Sequence, residues 1–260
     1  MKIEKIVSIY FSPNGGTKKV VNEIAKNIKD LPIEEIDLTI EKNRNIEREF
    51  SKNELVVFGM PVYADRLPNI SKEIFKKIKG NGNLAVCVVT YGNRDYGDAL
   101  LELKNELNLI NMSVIAAVAA ISQHCLNKNV ATNRPDENDF SKLINFSNLI
   151  NEKIEDLNNI SNLKDLSIKG NFPYKPLKEH HVPIGDSSCI KCGVCEKNCP
   201  VNAIDKIDFK STNKDICIFC GKCINICPVN SRAIQSEEFK AFMKKLELIA
   251  KDRKEMSIFI

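Results

Sequence analysis

Ile6-Val7-Ser8-Ile9-Tyr10-Phe11-Ser12-Pro13-Asn14-Gly15-Gly16-Thr17 is the stretch on which the fold turns. Its first six residues form an apolar run of strand length. The segment after it carries Val20, Val21, Ile24, Ala25 and Ile28 along one face at helical spacing. A strand joined by a short glycine-bearing loop to an amphipathic helix opens a βαβ unit. The loop itself suits an anion. Gly15 and Gly16 let backbone N–H groups approach closely, Ser12 and Thr17 offer hydroxyls, and the helix start adds partial positive charge. The lysine-bearing P-loop pattern is absent, which argues against a nucleoside triphosphate. A plain strand-to-helix turn is the alternative reading of the loop.

The same alternation continues along the chain. Leu55-Val56-Val57-Phe58, Leu84-Ala85-Val86-Cys87-Val88-Val89 and Val114-Ile115-Ala116-Ala117-Val118 are near-continuous apolar strands, and Ile33 to Leu38 supplies a weaker one. Such runs are expected where helices cover both faces of a parallel sheet. Ile70 to Ile78, Tyr96 to Leu107 and Phe140 to Leu157 read as the intervening helices. The expected class is α/β, a doubly wound sheet of five parallel strands over residues 1–160. Ligands in such sheets sit at the carboxyl ends of the strands, so the loops after strands one, three, four and five matter most. Gly80-Asn81-Gly82-Asn83-Leu84-Ala85 spells a dinucleotide fingerprint but precedes a strand instead of following one, and is set aside. Residues 161–185, punctuated by Gly170, Pro173, Pro176 and Pro183, read as a linker.

Eight of the ten cysteines fall between Cys189 and Cys227. Cys189-Ile190-Lys191-Cys192-Gly193-Val194-Cys195 repeats 28 residues later as Cys217-Ile218-Phe219-Cys220-Gly221-Lys222-Cys223. Each copy runs on to a fourth cysteine followed by proline, Cys199-Pro200 and Cys227-Pro228. Residues 186–235 thus resemble the two-cluster bacterial ferredoxins, in which three closely spaced thiolates wrap one corner of a cluster and the fourth ligates the other cluster. The resemblance implies a small α+β domain with one [4Fe–4S] cluster on Cys189, Cys192, Cys195 and Cys227 and a second on Cys217, Cys220, Cys223 and Cys199. Structural zinc would use two knuckles of two cysteines and give no reason for a third. Disulfides are disfavoured in a chain expected in the cytoplasm. Residues 236–260 read as a C-terminal amphipathic helix, with Phe239, Phe242, Met243, Leu246 and Ile249 on one stripe. That stripe packs either on the first domain or across the subunit contact of a homodimer.

The loop Ser12 to Thr17 resembles the FMN-phosphate loop of the flavodoxins, with Ser12, Gly15 and Thr17 in register and Asn14 a departure whose amide can still hydrogen-bond phosphate. The resemblance places Pro61, Val62, Tyr63 and Ala64 after strand three, and Thr90, Tyr91, Gly92 and Asn93 after strand four, in the two loops that contact the isoalloxazine. An aromatic stacks on a flavin face, while glycine and backbone amides reach its edge. Together with Arg134-Pro135-Asp136 and the double cysteine motif, nearly the whole chain resembles the fused flavodoxin/ferredoxin family called ferrodoxins. That implies FMN, two clusters, electron transfer and redox partner proteins.

Other residues bear other readings. Cys87 reads as a core residue. Cys125, next to His124 after strand five, reads either as structural or as a flavin-contacting or redox group. His180 and His181 read as solvated, and Arg94 either as paired with the FMN phosphate or a partner carboxylate or as a solvated loop residue. Three histidines without metal-binding spacing argue against catalytic zinc, and no acid/base pair or nucleophilic triad is evident. The net charge of +4 is too weak and too mixed to suggest nucleic acid. The chain runs from Met1 straight into a strand with no leader pattern, and its longest apolar run, Val114 to Ile121, falls short of the ~20 residues of a membrane helix. The competing functions are a flavin-dependent oxidoreductase of a small organic substrate fed by the clusters, and a cluster-bearing binding module whose first domain is empty.

Overall fold

Uninterrupted apolar strands need helices on both faces, and that requirement organises the chain. The computed structural model describes residues 2–156, 165–177 and 181–260. The first half runs β1 (Lys5–Tyr10), α1 (Gly16–Asn27), β2 (Ile33–Asp37), α2 (Glu41–Arg44), β3 (Arg48–Glu49), β4 (Glu54–Pro61), α3 (Ser71–Lys76), β5 (Ile78–Lys79), β6 (Asn83–Tyr91), α4 (Ala99–Leu109), β7 (Met112–Ile121) and α5 (Glu137–Asp156). Every residue of β4 and β6 is buried. One face of the sheet meets α1 and α5 through Val20, Ile24, Leu143, Phe146 and Ile150. The other meets α3 and α4 through Ile74, Phe75, Leu100, Leu103 and Leu107.

The five long strands pair in parallel in the order β2, β1, β4, β6, β7. That is the flavodoxin-like doubly wound order, whose binding crevice lies where the strand order reverses, beside the carboxyl end of β1.

The second half contributes β8 (Ile184–Gly185), α6 (Val194–Lys197), α7 (Lys222–Asn225), β9 (Arg232–Ala233), α8 (Glu237–Ile249) and β10 (Ser257–Phe259). β8 and β9 pair antiparallel, with Gly185 opposite Arg232.

Two features differ from the sequence expectation. The helix expected over 236–260 ends at Ile249, and Ser257, Ile258 and Phe259 add a sixth, antiparallel strand against Ala119, Val118 and Ala117 of β7. An apolar ten-residue edge strand is a template for further pairing, and the C-terminal tail covers part of it. The second difference is in the stretch read as a linker. Residues 165–177 are strapped to α4: Lys104 Nζ donates to Leu166 O (2.8 Å), Asn105 to the Tyr174 hydroxyl (2.7 Å), and the Asp98 carboxylate accepts the N–H groups of Asn171 (2.9 Å) and Lys175 (2.8 Å). Leu157, His180, 161–164 and 178–180, which the expected helix and linker included, lie outside the described residues.

Replacing Phe146, fully buried beneath the sheet, by alanine is expected to cost roughly 3–5 kcal/mol of stability. Chemical denaturation of the full chain followed by circular dichroism measures it, and a loss under about 1 kcal/mol would contradict this packing.

Candidate functional site

The carboxyl ends of β1, β4, β6 and β7 open onto one cavity of about 340 Å³, within the ~300–1,000 Å³ usual for small-molecule sites. Its floor is the loop into α1. Gly15 precedes the helix with φ +83°, a left-handed conformation that a side chain would strain. No side chain caps the helix at Gly15, although Ser12 Oγ accepts the Lys18 N–H (3.0 Å). The first N–H groups of a helix have no intrahelical partner, so those of Gly16 and Thr17, both on the cavity wall, suit an incoming anion. The Thr17 hydroxyl is fixed against that of Thr90 at 2.7 Å, tying this loop to the end of β6.

Of the residues singled out from the sequence, Ser12, Asn14, Gly16, Thr17, Pro61, Val62, Tyr63, Ala64, Tyr91, Thr90 and Gly92 line the cavity. Gly15 and Asn93 are not on its wall. Asn93 is buried, donates to Ala250 O (2.8 Å) and Asp252 O (2.9 Å), and accepts from Lys254 N, so it anchors the tail that leads to β10. The Asn14 amide also has another use. Its Nδ2 donates to Cys220 O at 2.7 Å and its Oδ1 accepts from Asn225 at 3.1 Å, which ties the α1 loop to the second cysteine loop.

Several wall residues carry no local sequence signal. Ser122 and Gln123 follow β7 beside His124 and Cys125, Lys175 and Pro176 come from the strap, and Phe219, Phe242 and Met243 close the cavity from the second half of the chain. Their contribution depends on how distant segments pack, although the loop after β7 was marked by topology. The Tyr63–Arg66 turn has Ala64 and Asp65 at φ +51° and +71°, the left-handed pair of a type I′ turn. Asp65 accepts from Arg94 and from Lys175 (2.5 Å), so Arg94 is paired rather than solvated.

Burial shapes the protonation of these groups. It pushes the Tyr91 phenol up to about 12 and the Cys125 thiol up to about 12. Burial also raises the Tyr63 phenol, with the nearby Cys220 and Cys125 acting the same way. His124 is pushed down to about 4 by burial, with the Arg94 charge adding to the effect. Cys87 is fully buried in the core, where burial pushes its thiol up.

The cysteine repeat folds as two matching turns. Gly193 (φ +72°) leads into α6 and Gly221 (φ +69°) into α7, and the two short helices pack together. Each fourth cysteine receives a backbone N–H from four residues on: Ala203 N to Cys199 Sγ and Ser231 N to Cys227 Sγ, both 3.2 Å. Donors aimed at sulfur suit thiolates that carry negative charge. Cys199, Cys217, Cys220 and Cys223 lie near enough to influence one another electrostatically. In the other set, Cys189 N donates to Asp186 O, while Asp186 N donates to Ser231 O, whose own N–H holds Cys227. Among the described residues no three acidic, histidine or cysteine groups converge on a single ion.

The second turn is joined to the sheet. Cys220 and Ile218 belong to the same apolar core as β4 and β6, Asn225 Nδ2 donates to Cys125 O (2.9 Å), and Arg44 Nη2 donates to Pro200 O (2.6 Å). At Gly221 a Cβ would lie 2.7 Å from Cys125 O, so this contact requires glycine.

Comparison with known proteins follows this division. Residues 188–231 match the 4Fe-4S dicluster domain family. No curated protein matches the chain. Among solved structures, an archaeal flavodoxin is 15% identical with a TM-score of 0.41, over 58% of this chain and 99% of its own. The Bacillus cereus flavodoxin 2 is 14% identical with a TM-score of 0.42, over 58% and 99%. Rubredoxin oxygen:oxidoreductase from Desulfovibrio gigas is 14% identical with a TM-score of 0.43, over 59% of this chain and 37% of its own. The chain joins a flavodoxin-like α/β fold to a 4Fe–4S ferredoxin segment, and no described helix is long and apolar enough to cross a membrane.

The depressed His124 value predicts an imidazole that is neutral throughout the physiological range. Its folded value lies below the unfolded one, so it favours folding above about pH 6.5 and this contribution is lost as pH falls toward about 4. An NMR titration of the ring should show a midpoint near 4, and a midpoint near 6.5 refutes the burial argument.

Proposed function

We propose that the chain is an electron-transfer iron–sulfur flavoprotein that binds FMN in the cavity and two [4Fe–4S] clusters on the eight paired cysteines, and exchanges electrons with redox partner proteins. The observation that carries this reading is that Phe219, from the second cysteine turn, forms part of the cavity wall while the next residue, Cys220, is held by Asn14. One polypeptide loop thus borders both sites.

The residues fit the groups. Gly16 and Thr17 offer N–H groups and Ser12 a hydroxyl for the phosphate, and Tyr63, Tyr91 and Gly92 border the space for the ring. Bound flavin exchanges two electrons or one, and each cluster exchanges one, which lets a two-electron donor serve one-electron acceptors. Phe219, Phe242 and Met243 would give the ring apolar contacts on the side of the second half of the chain. Tyr63 and Cys125 line the cavity, and both lie near enough to Cys220 to interact with it electrostatically.

The two ligand sets are not equivalent. Cys217, Cys220, Cys223 and Cys199 form the set next to the cavity. In the other set Cys192 is exposed, as is its neighbour Ile190, and this end is the one open to a partner.

Full chain isolated without oxygen should contain about eight iron atoms, matching sulfide and one FMN. Eight iron with no flavin leaves a cluster-bearing binding module, and zinc in place of iron overturns the reading. Asn225→Ala, which removes the bonds to Cys125 O and Asn14, is expected to keep both cofactor counts and to slow reoxidation of photoreduced flavin by the clusters in flash kinetics. An unchanged rate would show that docking does not govern the transfer.

A further inference from the structure

Arg232 is among the largest fully buried side chains of the described residues, at 2% exposure. It lies on β9, five residues after Cys227, and its backbone is paired with Gly185. The guanidinium is held by oxygens that carry no net charge. Nη1 donates to Phe209 O (2.7 Å) and Lys210 O (3.3 Å), and Nη2 to Pro183 O (2.7 Å) and the Thr212 hydroxyl. Among the described residues no carboxylate pairs with it, and Nε has no hydrogen-bond partner. Of the two buried arginines of the first half, Arg134 has Asp139, while Arg44 donates to the carbonyls of Leu38, Thr39 and Pro200.

A buried cation without a counter-ion is costly, so a fold that holds one rigidly should supply an anion. Cys195 Sγ of the exposed set donates to Phe209 O (3.8 Å), the same carbonyl that Arg232 Nη1 uses, and β9 packs on α7, which carries Cys223 of the set beside the cavity. The side chain therefore sits between the two cysteine sets. A [4Fe–4S] cluster with four thiolates is a net anion, and hydrogen bonds to its sulfurs together with nearby charge set its reduction potential.

We propose that Arg232 is a positioning residue shared by both clusters, its buried guanidinium the counter-charge that raises their reduction potentials and its Nε–H free to donate to cluster sulfur. This rests on the two-cluster reading above. Adding an electron makes a cluster more negative, so a fixed cation beside it stabilises the reduced form most. Phe209, Lys210, Pro183 and Thr212 hold the cation so that it need not reorganise when the electron arrives.

The test uses full-length protein prepared without oxygen, with iron and sulfide counted first and both clusters titrated by EPR with dithionite as reductant. Arg232→Gln is expected to keep about eight iron and to lower both potentials by at least a tenfold change in the reduction equilibrium, about 59 mV for one electron. Arg232→Lys, which keeps the charge without the planar fork, is expected to recover most of that loss. Unchanged potentials in iron-replete Arg232→Gln overturn the proposal and leave the two-cluster reading standing, whereas a wild-type chain without iron overturns both. If the variants fail to assemble, wild-type protein labelled with ¹⁵N-arginine decides: pulsed EPR of the reduced clusters should show nitrogen coupling, and its absence overturns the proposal.

Discussion

The close seating of the second cysteine turn on the carboxyl end of the parallel sheet is the constraint from which most of the molecule follows. Ile218 and Cys220 are part of the apolar core beneath β4 and β6, so this turn is an extension of the α/β domain's own packing. With no room for a side chain at Gly221, the backbone of the turn rests directly against the Cys125 carbonyl. Around that contact, Asn14, Asn225 and Arg44 each satisfy a peptide or amide oxygen across the junction. Buried carbonyls that lack such donors would cost on the order of 1–3 kcal/mol each. The hydrogen bonds therefore fix the orientation as well as the proximity of the two halves.

This seating alters the chemistry of the thiols. Burial pushes Cys195, Cys217, Cys220 and Cys223 above the ordinary thiol range. These four thiols consequently hold their protons more tightly than an exposed cysteine, and loading iron must expel those protons. Cys227 behaves oppositely, because the N–H groups of Val229, Arg232 and Ser231 overcome its own burial and draw it below the usual value. The repeat is thus symmetric in sequence but not in electrostatics: burial dominates at Cys195, Cys217, Cys220 and Cys223, and backbone N–H groups dominate at Cys227.

The fold was legible wherever a physical signal was local. Continuous apolar runs could only be strands covered on both faces, and the cysteine spacing repeats too closely to arise from general packing. What stayed hidden depends on context. β10 is three residues long and follows the polar run Lys251 to Glu255, so no periodicity marks it. The strap over α4 has no repeat of its own and is held by Asp98, a residue that looks like any first-turn carboxylate until its partners arrive. Asn14 and Asn93 have the right chemistry for a ligand and sit in the right loops, yet both side chains are taken up by other parts of the chain. The stripe on α8 was readable as packing, but not that Phe242 and Met243 would close a cavity built by the opposite end of the sequence.

The sixth strand gives the molecule a chain order that the two-part description conceals. Because β10 returns to the edge of the sheet, the cysteine segment is inserted within the α/β domain, with sheet residues on both sides of it in the chain. Asn93 and Arg134, from loops of the first half, hold the returning tail at Asp252 and Lys254. An insertion anchored at both ends cannot swing on a single hinge as an appended module can, so its route to a partner is to present a fixed face. During synthesis, too, the sheet acquires its last strand only after every cysteine has been made, which places completion of the edge downstream of the metal-binding sequence.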